Sequence, residues 1–193
     1  MSRMKQTRLC PRRQPGLGRS SGRHRAEFVY ESESLSEQHV LESFDCGKVA
    51  LNDWLMNSAR HCQSNRTAST FVWCALTDPH VVAYYSLAGH VVEKQALPPK
   101  LGRGSPEQMP AVLLARLAID KTLQGQGLGG VLLADAMGQV VAAVQRVAAR
   151  FVIVDALDEE AAAFYDRYGF KRIPGHMRMY RKISDIERSL ALG

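Results

Sequence analysis

Two β-rich runs of the chain, residues 70–76 and 81–92, follow each other closely and combine aromatic, β-branched and small residues. Such neighbouring runs are typical of an antiparallel hairpin. Residues 111–119 form an apolar run that only Arg116 interrupts, and residues 151–154 form a second, shorter run. Continuous apolar runs of this length predict strands that are covered on both faces of a sheet.

The spacing of other apolar residues predicts helices between and after these strands. We expect a helical turn over residues 36–44, a helix over about residues 50–63, and a longer helix from the turn at residues 120–127 to about residue 150. The core-facing stripe of the longer helix is predicted to be Val131, Ala134, Met137, Val141, Val144 and Ala148. A third helix should begin at Asp158-Glu159-Glu160, because a helix N-terminus favours acidic side chains, and should end at Gly169.

The order of these elements predicts a mixed sheet. The strand, helix and strand from residue 111 to residue 154 form a parallel βαβ unit, whereas the hairpin before it is antiparallel. Short closing strands are expected over residues 170–173 and 177–182, then a helical turn over residues 184–191. The proline-rich segment 95–110 is predicted to be a long functional loop. The fold class is therefore α/β (α+β mixed sheet), with helices flanking the sheet, in one domain over residues 27–193.

The net charge of +6 belongs to the N-terminal segment. Residues 1–26 contain eight of the 25 basic residues and no acidic residue, so the rest of the chain carries 17 basic and 19 acidic residues, a formal charge of −2. A segment rich in Arg, Gly, Ser and Pro has no apolar face with which to pack, and we predict a disordered tail. Three interpretations stay open: an upstream start codon, a solvated arm, or an arm that binds nucleic acid.

A glycine-rich turn, LAIDKTLQGQGLGG from Leu117 to Gly130, joins the apolar strand to the long helix. Glycines let the backbone approach a ligand, and the N–H groups at a helix start favour a phosphate or pyrophosphate. A tight turn without a ligand would have the same composition. Gly125, Gly127 and Gly130 also satisfy the dinucleotide fingerprint, but only one βαβ unit is present and Asp155 lies 25 residues beyond Gly130. No Gly-Lys-Ser/Thr triplet marks a P-loop.

The same turn resembles the signature Q/R-x-x-G-x-G/A of the GNAT acetyltransferase superfamily, through Gln124-Gly125-Gln126-Gly127-Leu128-Gly129. The resemblance implies a GNAT fold that uses acetyl-CoA as co-substrate. Backbone N–H groups of the turn would hold the pyrophosphate, and the backbone of residues 116–119 would hydrogen-bond the pantetheine arm. The cofactor-binding residues that it implies are Leu117, Ala118, Ile119, Gln124, Gly125, Gln126, Gly127, Leu128, Gly129 and Gly130.

Further motifs between about residues 35 and 180 resemble one branch of this superfamily, the acetyltransferase toxins of bacterial type II toxin–antitoxin systems. They are Phe44-Asp45-Cys46-Gly47, Leu51-Asn52-Asp53-Trp54-Leu55, Thr70-Phe71-Val72, Tyr84-Tyr85-Ser86-Leu87, Leu114-Ala115-Arg116-Leu117-Ala118-Ile119-Asp120 and Phe164-Tyr165-Asp166-Arg167-Tyr168-Gly169-Phe170. The resemblance implies acetylation of the amino group of aminoacyl-tRNA, which stalls translation. It also implies a homodimer and a ribbon-helix-helix antitoxin that binds DNA.

The catalytic tyrosine of that branch maps onto Tyr165 through the pattern F-Y-x-x-x-G-F. Without the resemblance, Tyr165 could equally be a packing aromatic. An α-amine has a pKa of about 8, so part of it is neutral at physiological pH and can attack the thioester. We expect Tyr165 to give a proton to the leaving thiolate, and a backbone N–H near residues 117–119 to contact the thioester oxygen. No residue stands out as a general base.

Binding of tRNA needs basic side chains, because phosphate contacts supply much of the affinity. Because the chain after residue 26 is nearly neutral overall, a tRNA site on it needs basic side chains that cluster in one place. The candidates are Arg60, Arg66, Lys94, Lys100, Arg103 and Arg116. Each of them could also be a solvated surface charge. Arg116 differs because it interrupts an apolar strand, and a buried charge needs a partner or a ligand. We predict that Arg116 lines the acceptor site.

Two other functions fit part of the pattern. One is a GNAT enzyme that acetylates a protein N-terminus, a lysine or a small amine, and the other is a non-catalytic module that binds acetyl-CoA or nucleic acid. The four cysteines show no zinc-binding spacing, and no Cys–His nucleophile is expected, so we predict no metal. The chain contains neither an export signal nor a membrane-spanning run, and we expect a cytoplasmic protein with reduced cysteines.

Overall fold

The computed structural model describes residue 30 and residues 32–75 and 78–191. The predicted tail over residues 1–26 lies outside the described residues. The elements follow one another in this order: β1 (Glu33–Ser34), α1 (Val49–Asn57), α2 (Ala59–Ser64), β2 (Ser69–Ala75), β3 (Asp78–Glu93), α3 (Pro99–Gly102), β4 (Gln108–Ile119), α4 (Leu128–Val144), β5 (Phe151–Asp155), α5 (Glu159–Arg167), β6 (Lys171–Arg172), β7 (Arg178–Lys182) and α6 (Ile183–Leu190).

The fold is built on a single seven-stranded sheet, with the strand order β1-β2-β3-β4-β5-β7-β6. All neighbouring strands are antiparallel except β4 and β5, which are parallel. The predicted hairpin is the pair β2 and β3, and the predicted βαβ unit is β4, α4 and β5. The mixed sheet is therefore confirmed. Within the described residues, no helix is long and apolar enough to cross a membrane.

Helices and loops cover both faces of the sheet. Neighbouring residues of a strand point to opposite faces, and on β3 Tyr84 and Tyr85 belong to two different core clusters. The cluster around Tyr84 includes Leu55 of α1 and Ala59 of α2. The larger cluster, around Tyr85, includes the buried side of α4 and also Tyr165 of α5. Because both faces of the sheet are covered in this way, the strands are apolar on both sides.

The proline-rich segment 95–110 is more ordered than the predicted loop. It begins within a short 3₁₀ turn at Lys94–Ala96, contains α3, and continues into the start of β4. Leu97 and Met109 are buried in a third cluster together with Phe151. The segment therefore closes one end of the sheet.

Helix α4 ends earlier than predicted, and its buried face matches the predicted stripe only in part, at Met137 and at the half-buried Val141 and Val144. It ends at Val144, and Val131 of the predicted stripe is 55% exposed. The residues that it buries are Leu132, Leu133, Ala136, Met137 and Val140. Asp135 and Gln139 are the only polar side chains of the helix, so its periodicity cannot single out one apolar face.

The region before β2 also differs from the prediction. The expected single helix is divided into α1 and α2 at Ser58, whose φ of −124° departs from helical values. Leu55 and Ala59 still share the buried face on the two sides of the break. Residues 36–44 form turns and one isolated bridge instead of a helical turn.

Candidate active site

A cleft opens where β4 and β5 diverge. The two strands pair only from Ala111 to Leu113 on β4, and the following part of β4 pairs with β3 alone. A bulge at Ala115 marks this point, since Leu87 pairs with Leu114 and Ser86 with Arg116. One edge of residues 114–119 therefore has backbone groups without a strand partner. These residues, the glycine-rich turn and α5 line a cleft of about 640 Å³, which we call the main cleft.

The glycine-rich turn is tied to the loop that contains the Asp45-Cys46-Gly47 motif. The N–H of Asp45 donates to Asp120 Oδ2 at 2.9 Å, and the N–H of Lys121 donates to the Asp45 carbonyl at 2.9 Å. Lys121 Nζ also lies 2.6 Å from Asp45 Oδ2. Hydrogen bonds from Lys121, from the Gly47 N–H and from Asn52 hold the pKa of Asp45 far below its ordinary value. The loop thus fixes the start of the turn.

The side chains of the two glutamines in the turn bond to protein carbonyls. Gln124 Nε2 donates to the carbonyls of Ile119 and Cys46, at 2.8 and 3.0 Å. Gln126 Nε2 donates to the Thr122 carbonyl at 3.2 Å, and Gln126 does not line the main cleft. In this turn, backbone groups are therefore the parts suited to hold a ligand.

The start of α4 forms one wall of the main cleft. Gly127 precedes the helix with φ of 79°, a conformation that favours glycine, and no side chain of the described residues caps the helix there. The N–H groups of a first helical turn have no intrahelical acceptor, and Leu128 and Gly129 line the cleft. This helix start can bind an anionic group such as a pyrophosphate.

Helix α5 packs directly against this helix start. A Cβ at Gly130 would lie 2.1 Å from the Tyr168 hydroxyl oxygen and 2.7 Å from the ring carbon that carries it. Only glycine leaves room for Tyr168 at this position. The Tyr168 ring also contacts Phe164, with 5.1 Å between the ring centroids. The two aromatic residues therefore set the distance between α4 and α5.

Tyr165 lines the main cleft on the inner side of α5 although only 7% of the residue is exposed. Its ring packs against Phe164 and Phe170, at centroid distances of 5.1 and 5.5 Å. Burial raises the pKa of the Tyr165 phenol above its ordinary value. The hydroxyl group therefore stays protonated at neutral pH and can donate a hydrogen bond into the cleft.

An ion pair across the main cleft was not anticipated from the sequence. Lys48 Nζ lies 3.0 Å from Asp158 Oδ2, and both residues line the cleft. Asp158 also caps α5, because its Oδ1 accepts the N–H of Ala161 at 2.9 Å. The hydrogen bonds from Ala161 and Lys48 lower the pKa of Asp158. The sequence marked Asp158 as a helix start, but no local signal connects it to Lys48.

Two further ionisable residues of the main cleft, Asp155 and Cys46, are unsuited to act as a general base or a nucleophile. Arg178 donates two hydrogen bonds to Asp155, at 2.7 and 2.8 Å, and lowers its pKa. Burial raises the pKa of Cys46, whose thiol lies 3.1 Å from Asn52 Oδ1. Among the described residues, no histidine lines this cleft. The site therefore favours direct attack by a neutral amine.

Of the basic residues predicted to bind tRNA, Arg116 lines the main cleft. Its guanidinium lies over the Trp54 ring, 5.3 Å from the centroid, and donates to the Ala115 carbonyl at 2.6 Å. Arg60 instead bonds to the His39 carbonyl at 2.6 Å. The remaining candidates do not line this cleft: Arg66 lies in the turn after α2, and Lys94, Lys100 and Arg103 lie near the opposite end of β4.

Glu33, His39 and Cys74 form a group whose ligand atoms lie within 4.8 Å of one another, in the part of the chain that the structure describes. His39 Nδ1 accepts the N–H of Ser36 at 2.9 Å, so the neutral ring carries its proton on Nε2. That nitrogen lies 3.2 Å from Glu33 and is occupied as a donor. The group is therefore better suited to a hydrogen bond from His39 to Glu33 than to a metal, and the expected absence of a metal stays a prediction.

A family model of an acetyltransferase (GNAT) domain matches residues 68–172, more than half of the chain. The chain belongs to the GNAT family. The predicted fold class and family are therefore confirmed, and the protein is an acetyltransferase. The divergence of β4 and β5, the glycine-rich turn and the start of α4 all lie within the matched GNAT segment.

Similar GNAT proteins include several toxins. A tRNA-acetylating toxin of Mycobacterium tuberculosis (strain ATCC 25618 / H37Rv) is 36% identical over 140 residues, 72% of this chain and 83% of the toxin. The structure of AtaT complexed with acetyl-methionyl-tRNAfMet has a TM-score of 0.77 at 33% identity and covers 83% of this chain and 99% of AtaT. A mutant AtaT toxin bound to the C-terminus of the antitoxin AtaR and acetyl-CoA has a TM-score of 0.73 at 31% identity, over 84% and 98% of the two chains.

Proposed function

We propose that the protein is a toxin that transfers the acetyl group of acetyl-CoA to the free α-amino group of aminoacyl-tRNA and thereby blocks translation. The observation that carries the proposal is the main cleft, where an unpaired strand edge, an uncapped helix start and a buried tyrosine meet. The relatives that match most of this chain support tRNA as the acceptor, since they include a tRNA-acetylating toxin and AtaT with an acetylated tRNA.

Acetyl-CoA fits the main cleft as co-substrate. The start of α4 and the backbone of residues 124–129 provide N–H groups for the pyrophosphate. The free edge of residues 114–119 offers backbone donors and acceptors to the amide groups of the pantetheine arm. In this arrangement the thioester would lie near the bulge at Ala115, beside Arg116 and opposite α5. A backbone N–H of residues 117–119 then stabilises negative charge on the thioester oxygen.

The reaction needs little acid–base chemistry from the protein. The neutral amine attacks the carbonyl carbon of the thioester, the C–N bond forms, and the C–S bond breaks. The nitrogen loses one proton and the thiolate gains one, so the products are N-acetyl-aminoacyl-tRNA and free coenzyme A. Tyr165 donates a hydrogen bond to the sulfur while the C–S bond breaks, and the thiolate then takes up from the solvent the proton that the nitrogen releases to it.

Arg116 is the basic residue placed best for the acceptor. Its guanidinium lies over Trp54 at the main cleft and has no carboxylate partner among the described residues. It can therefore bind a phosphate near the charged 3′ end of the tRNA. Arg60, Arg66, Lys100 and Arg103 would have to meet more distant phosphates.

The partners follow from this activity. A toxin of this kind requires an antitoxin, and AtaT, which is similar to this chain, binds the C-terminus of its antitoxin AtaR. We propose that the antitoxin of this protein has a ribbon-helix-helix domain, that the toxin is a homodimer, and that it acts in the cytoplasm, where aminoacyl-tRNA is used.

Cell-free translation tests the proposal. We expect the protein with acetyl-CoA to stop synthesis of a reporter protein, and freshly charged tRNA to restore it after removal of the toxin. Without acetyl-CoA, synthesis should continue. The tRNA recovered from the stalled reaction should carry acetylated amino acids. Arrest without acetylated tRNA, or acetylation of proteins or small amines only, would refute tRNA as the substrate. The assignment of the chain as a GNAT acetyltransferase would remain.

Arg116→Gln tests the acceptor side. Loss of a charge-assisted contact should raise the KM for aminoacyl-tRNA about 10-fold and leave the KM for acetyl-CoA unchanged. Arg146→Gln, an exposed residue after α4, is the matched control. An equal rise of both KM values would show that Arg116 only supports the strand.

A further inference from the structure

The two faces of the sheet present different groups to the main cleft. Val154 of β5 packs in the same core cluster as Tyr165, on the face that α4 and α5 cover. Neighbouring residues of a strand point to opposite faces, so Asp155 shares the other face with Ile153, which belongs to a different cluster. Arg178 is paired with Asp155 across β5 and β7 and lies on that same face. The Asp155 carboxylate and Tyr165 are therefore on opposite sides of the sheet.

Arg116 lies on the same face as Asp155. Its guanidinium is over Trp54, which packs against the cluster around Tyr84. On β3, Tyr84 and Val92 of the third cluster are eight residues apart, and the extra residue of the bulge belongs to β4. An even separation on an unbroken strand places both residues on one face. The two clusters, and with them Arg116 and Asp155, therefore share a face.

The position of Asp155 along the strand brings it to the gap between β4 and β5. The last paired residues of these strands are Leu113 and Ile153. Asp155 is two residues further on and is level with the bulge residue Ala115. Asp155 and Arg116 both line the main cleft, one from each strand. They therefore border the place where the thioester would lie.

The Asp155 carboxylate is held in one orientation and is still open to a ligand. Arg178 donates from Nε to Oδ1 at 2.7 Å and from a terminal nitrogen to Oδ2 at 2.8 Å. Each carboxylate oxygen can accept a further hydrogen bond. The Asp155 side chain is 52% exposed, so an incoming group can reach these positions. Arg178 also lowers the pKa of Asp155, which stays ionised at neutral pH.

His90 of β3 adds a polar group that lacks a partner to this face. It precedes Val92 by two residues, and its Nε2 is buried without a hydrogen-bond partner among the described residues. Burial and the nearby Arg178 lower the pKa of His90, so the ring is neutral at neutral pH. Asp155 therefore has a neutral imidazole on the β3 side and guanidinium groups on the β4 and β7 sides, from Arg116 and Arg178.

An ionised carboxylate beside the gap suits the chemistry of an attacking amine. The nitrogen becomes positively charged as the C–N bond forms, and it stays so until its proton leaves to the solvent. A carboxylate that is already oriented stabilises this charge in the transition state. A hydrogen bond from the amine to the carboxylate also directs the nitrogen lone pair toward the thioester carbon.

We propose that Asp155 binds the α-amino group of the acceptor and stabilises the positive charge on its nitrogen, with Arg178 as the positioning residue that holds the carboxylate. The proposal rests on the proposed function. It makes the acceptor approach from the face of the sheet opposite Tyr165. Arg116 and Asp155 then meet the two charged groups of a charged 3′ end, the phosphate and the amine.

Binding of two tRNAs in the presence of coenzyme A tests the proposal without a reaction. One tRNA carries an amino acid with a free amino group, and the other carries the same amino acid already acetylated. At pH 6 the wild-type protein should bind the first about 10-fold more tightly, because its ammonium group bonds to the carboxylate. Asp155→Asn should lose this preference. Arg178→Gln should keep it, since the carboxylate keeps its charge.

The pH profile of kcat separates this role from a structural one, because it reports the pKa of the amine in the bound complex. Asp155→Asn leaves Arg178 and Arg116 beside the amine, so this pKa should fall, and kcat at pH 9 should fall about 10-fold. Arg178→Gln should raise the pKa, because the carboxylate then lacks its cation. Damage to the strand alone would lower kcat without moving the pKa.

Glu159→Gln is the matched control, because Glu159 bonds to Arg172 at 2.7 Å and does not line the main cleft. Thermal unfolding checks that each variant is folded, and Arg178→Gln still tests the shift of the pKa if Asp155→Asn does not fold. An Asp155→Asn protein that keeps the preference for the free amine would overturn the proposal. A wild-type protein without this preference would also overturn it, and acetylation of charged tRNA would leave the proposed function intact. Failure to bind either tRNA would overturn both.

Discussion

At the scale of single residues, the account depends most on the hydroxyl group of Tyr165. The Tyr165 ring packs against Phe164 and Phe170, and burial of the side chain raises the pKa of the phenol. A phenol with a raised pKa is a weak acid but a permanent hydrogen-bond donor at neutral pH. It is therefore suited to stabilise charge on the leaving sulfur while the C–S bond breaks, and unsuited to act as a base toward the amine.

Tyr165→Phe should lower kcat by at least about 100-fold, because the hydrogen bond to the sulfur forms in the transition state. The KM for acetyl-CoA should change little, since the ring still packs between its neighbours. Initial rates with saturating charged tRNA measure both values. Tyr180→Phe, on β7 outside the main cleft, is the matched control. A Tyr165→Phe variant with the kcat of the wild type would remove Tyr165 from the mechanism.

The pH dependence of the rate should follow the substrate amine. Asp155 and Asp158 are held in ion pairs that lower their pKa values, so neither can take a proton efficiently near neutral pH. We expect kcat/KM for aminoacyl-tRNA to rise with pH up to about 8, the pKa of an α-amine, and then to level. Short reactions between pH 6 and 9 give this profile. A shift of the profile in Glu160→Gln, which removes another carboxylate of the main cleft, would instead identify a general base.

At the scale of elements, the main cleft depends on how closely α5 approaches the start of α4. Tyr168 occupies the space over Gly130 and lines the main cleft. A side chain at residue 130 would push Tyr168 away and separate the two helices. Glycine at this position therefore serves packing, whereas Gly127 serves the turn through its φ of 79°.

Gly130→Ala should destabilise the protein by about 1–3 kcal/mol, because a Cβ overpacks the contact with Tyr168. It should also raise the KM for acetyl-CoA. Gly138→Ala, in the same helix, is the control: nothing lies within 4 Å of its Cβ, and it should stabilise the protein by about 0.5–1 kcal/mol. Equilibrium unfolding in urea measures both. Equal stabilisation by the two substitutions would contradict the packing role of Gly130.

Local patterns predict the elements of this fold better than the contacts between them. The hairpin, the apolar strand with Arg116 and the helix that begins after Asp158 each have a signature within a few residues. The buried face of α4 has none, because its apolar residues surround the helix. The pair of Lys48 and Asp158 joins positions 110 residues apart, so spacing along the chain cannot reveal it.

At the scale of the whole molecule, carboxylates connect the α1 side of the protein to the end of β4. Burial alone would raise the pKa of Asp120, but hydrogen bonds from the Asp45 N–H and from Thr122 outweigh it and lower the pKa. A carboxylate whose pKa is lower in the folded state stabilises the fold above its unfolded pKa of about 3.9. That stabilisation is lost as the pH falls through the folded value.

The free energy of unfolding should therefore decrease between pH 5 and pH 3, and Asp120→Asn should reduce this decrease while lowering stability at pH 7. The asparagine oxygen accepts fewer and weaker hydrogen bonds from Asp45 and Thr122. Urea unfolding at a series of pH values measures the effect. Asp53→Asn, on an exposed position of α1, is the control and should follow the wild type. If the pH dependence of the free energy of unfolding is the same in Asp120→Asn as in the wild type, other groups are responsible for the loss of stability at low pH.

The most direct test of the central claim is a competition for labelled acetyl-CoA among charged tRNA, uncharged tRNA, a peptide with free N-terminus and lysine, and a small diamine. We predict that the label reaches the aminoacyl group with a kcat/KM at least about 100-fold above every competitor, and that Tyr165→Phe abolishes the transfer. Transfer mainly to the peptide or the diamine would contradict the account, because the main cleft would then serve another amine.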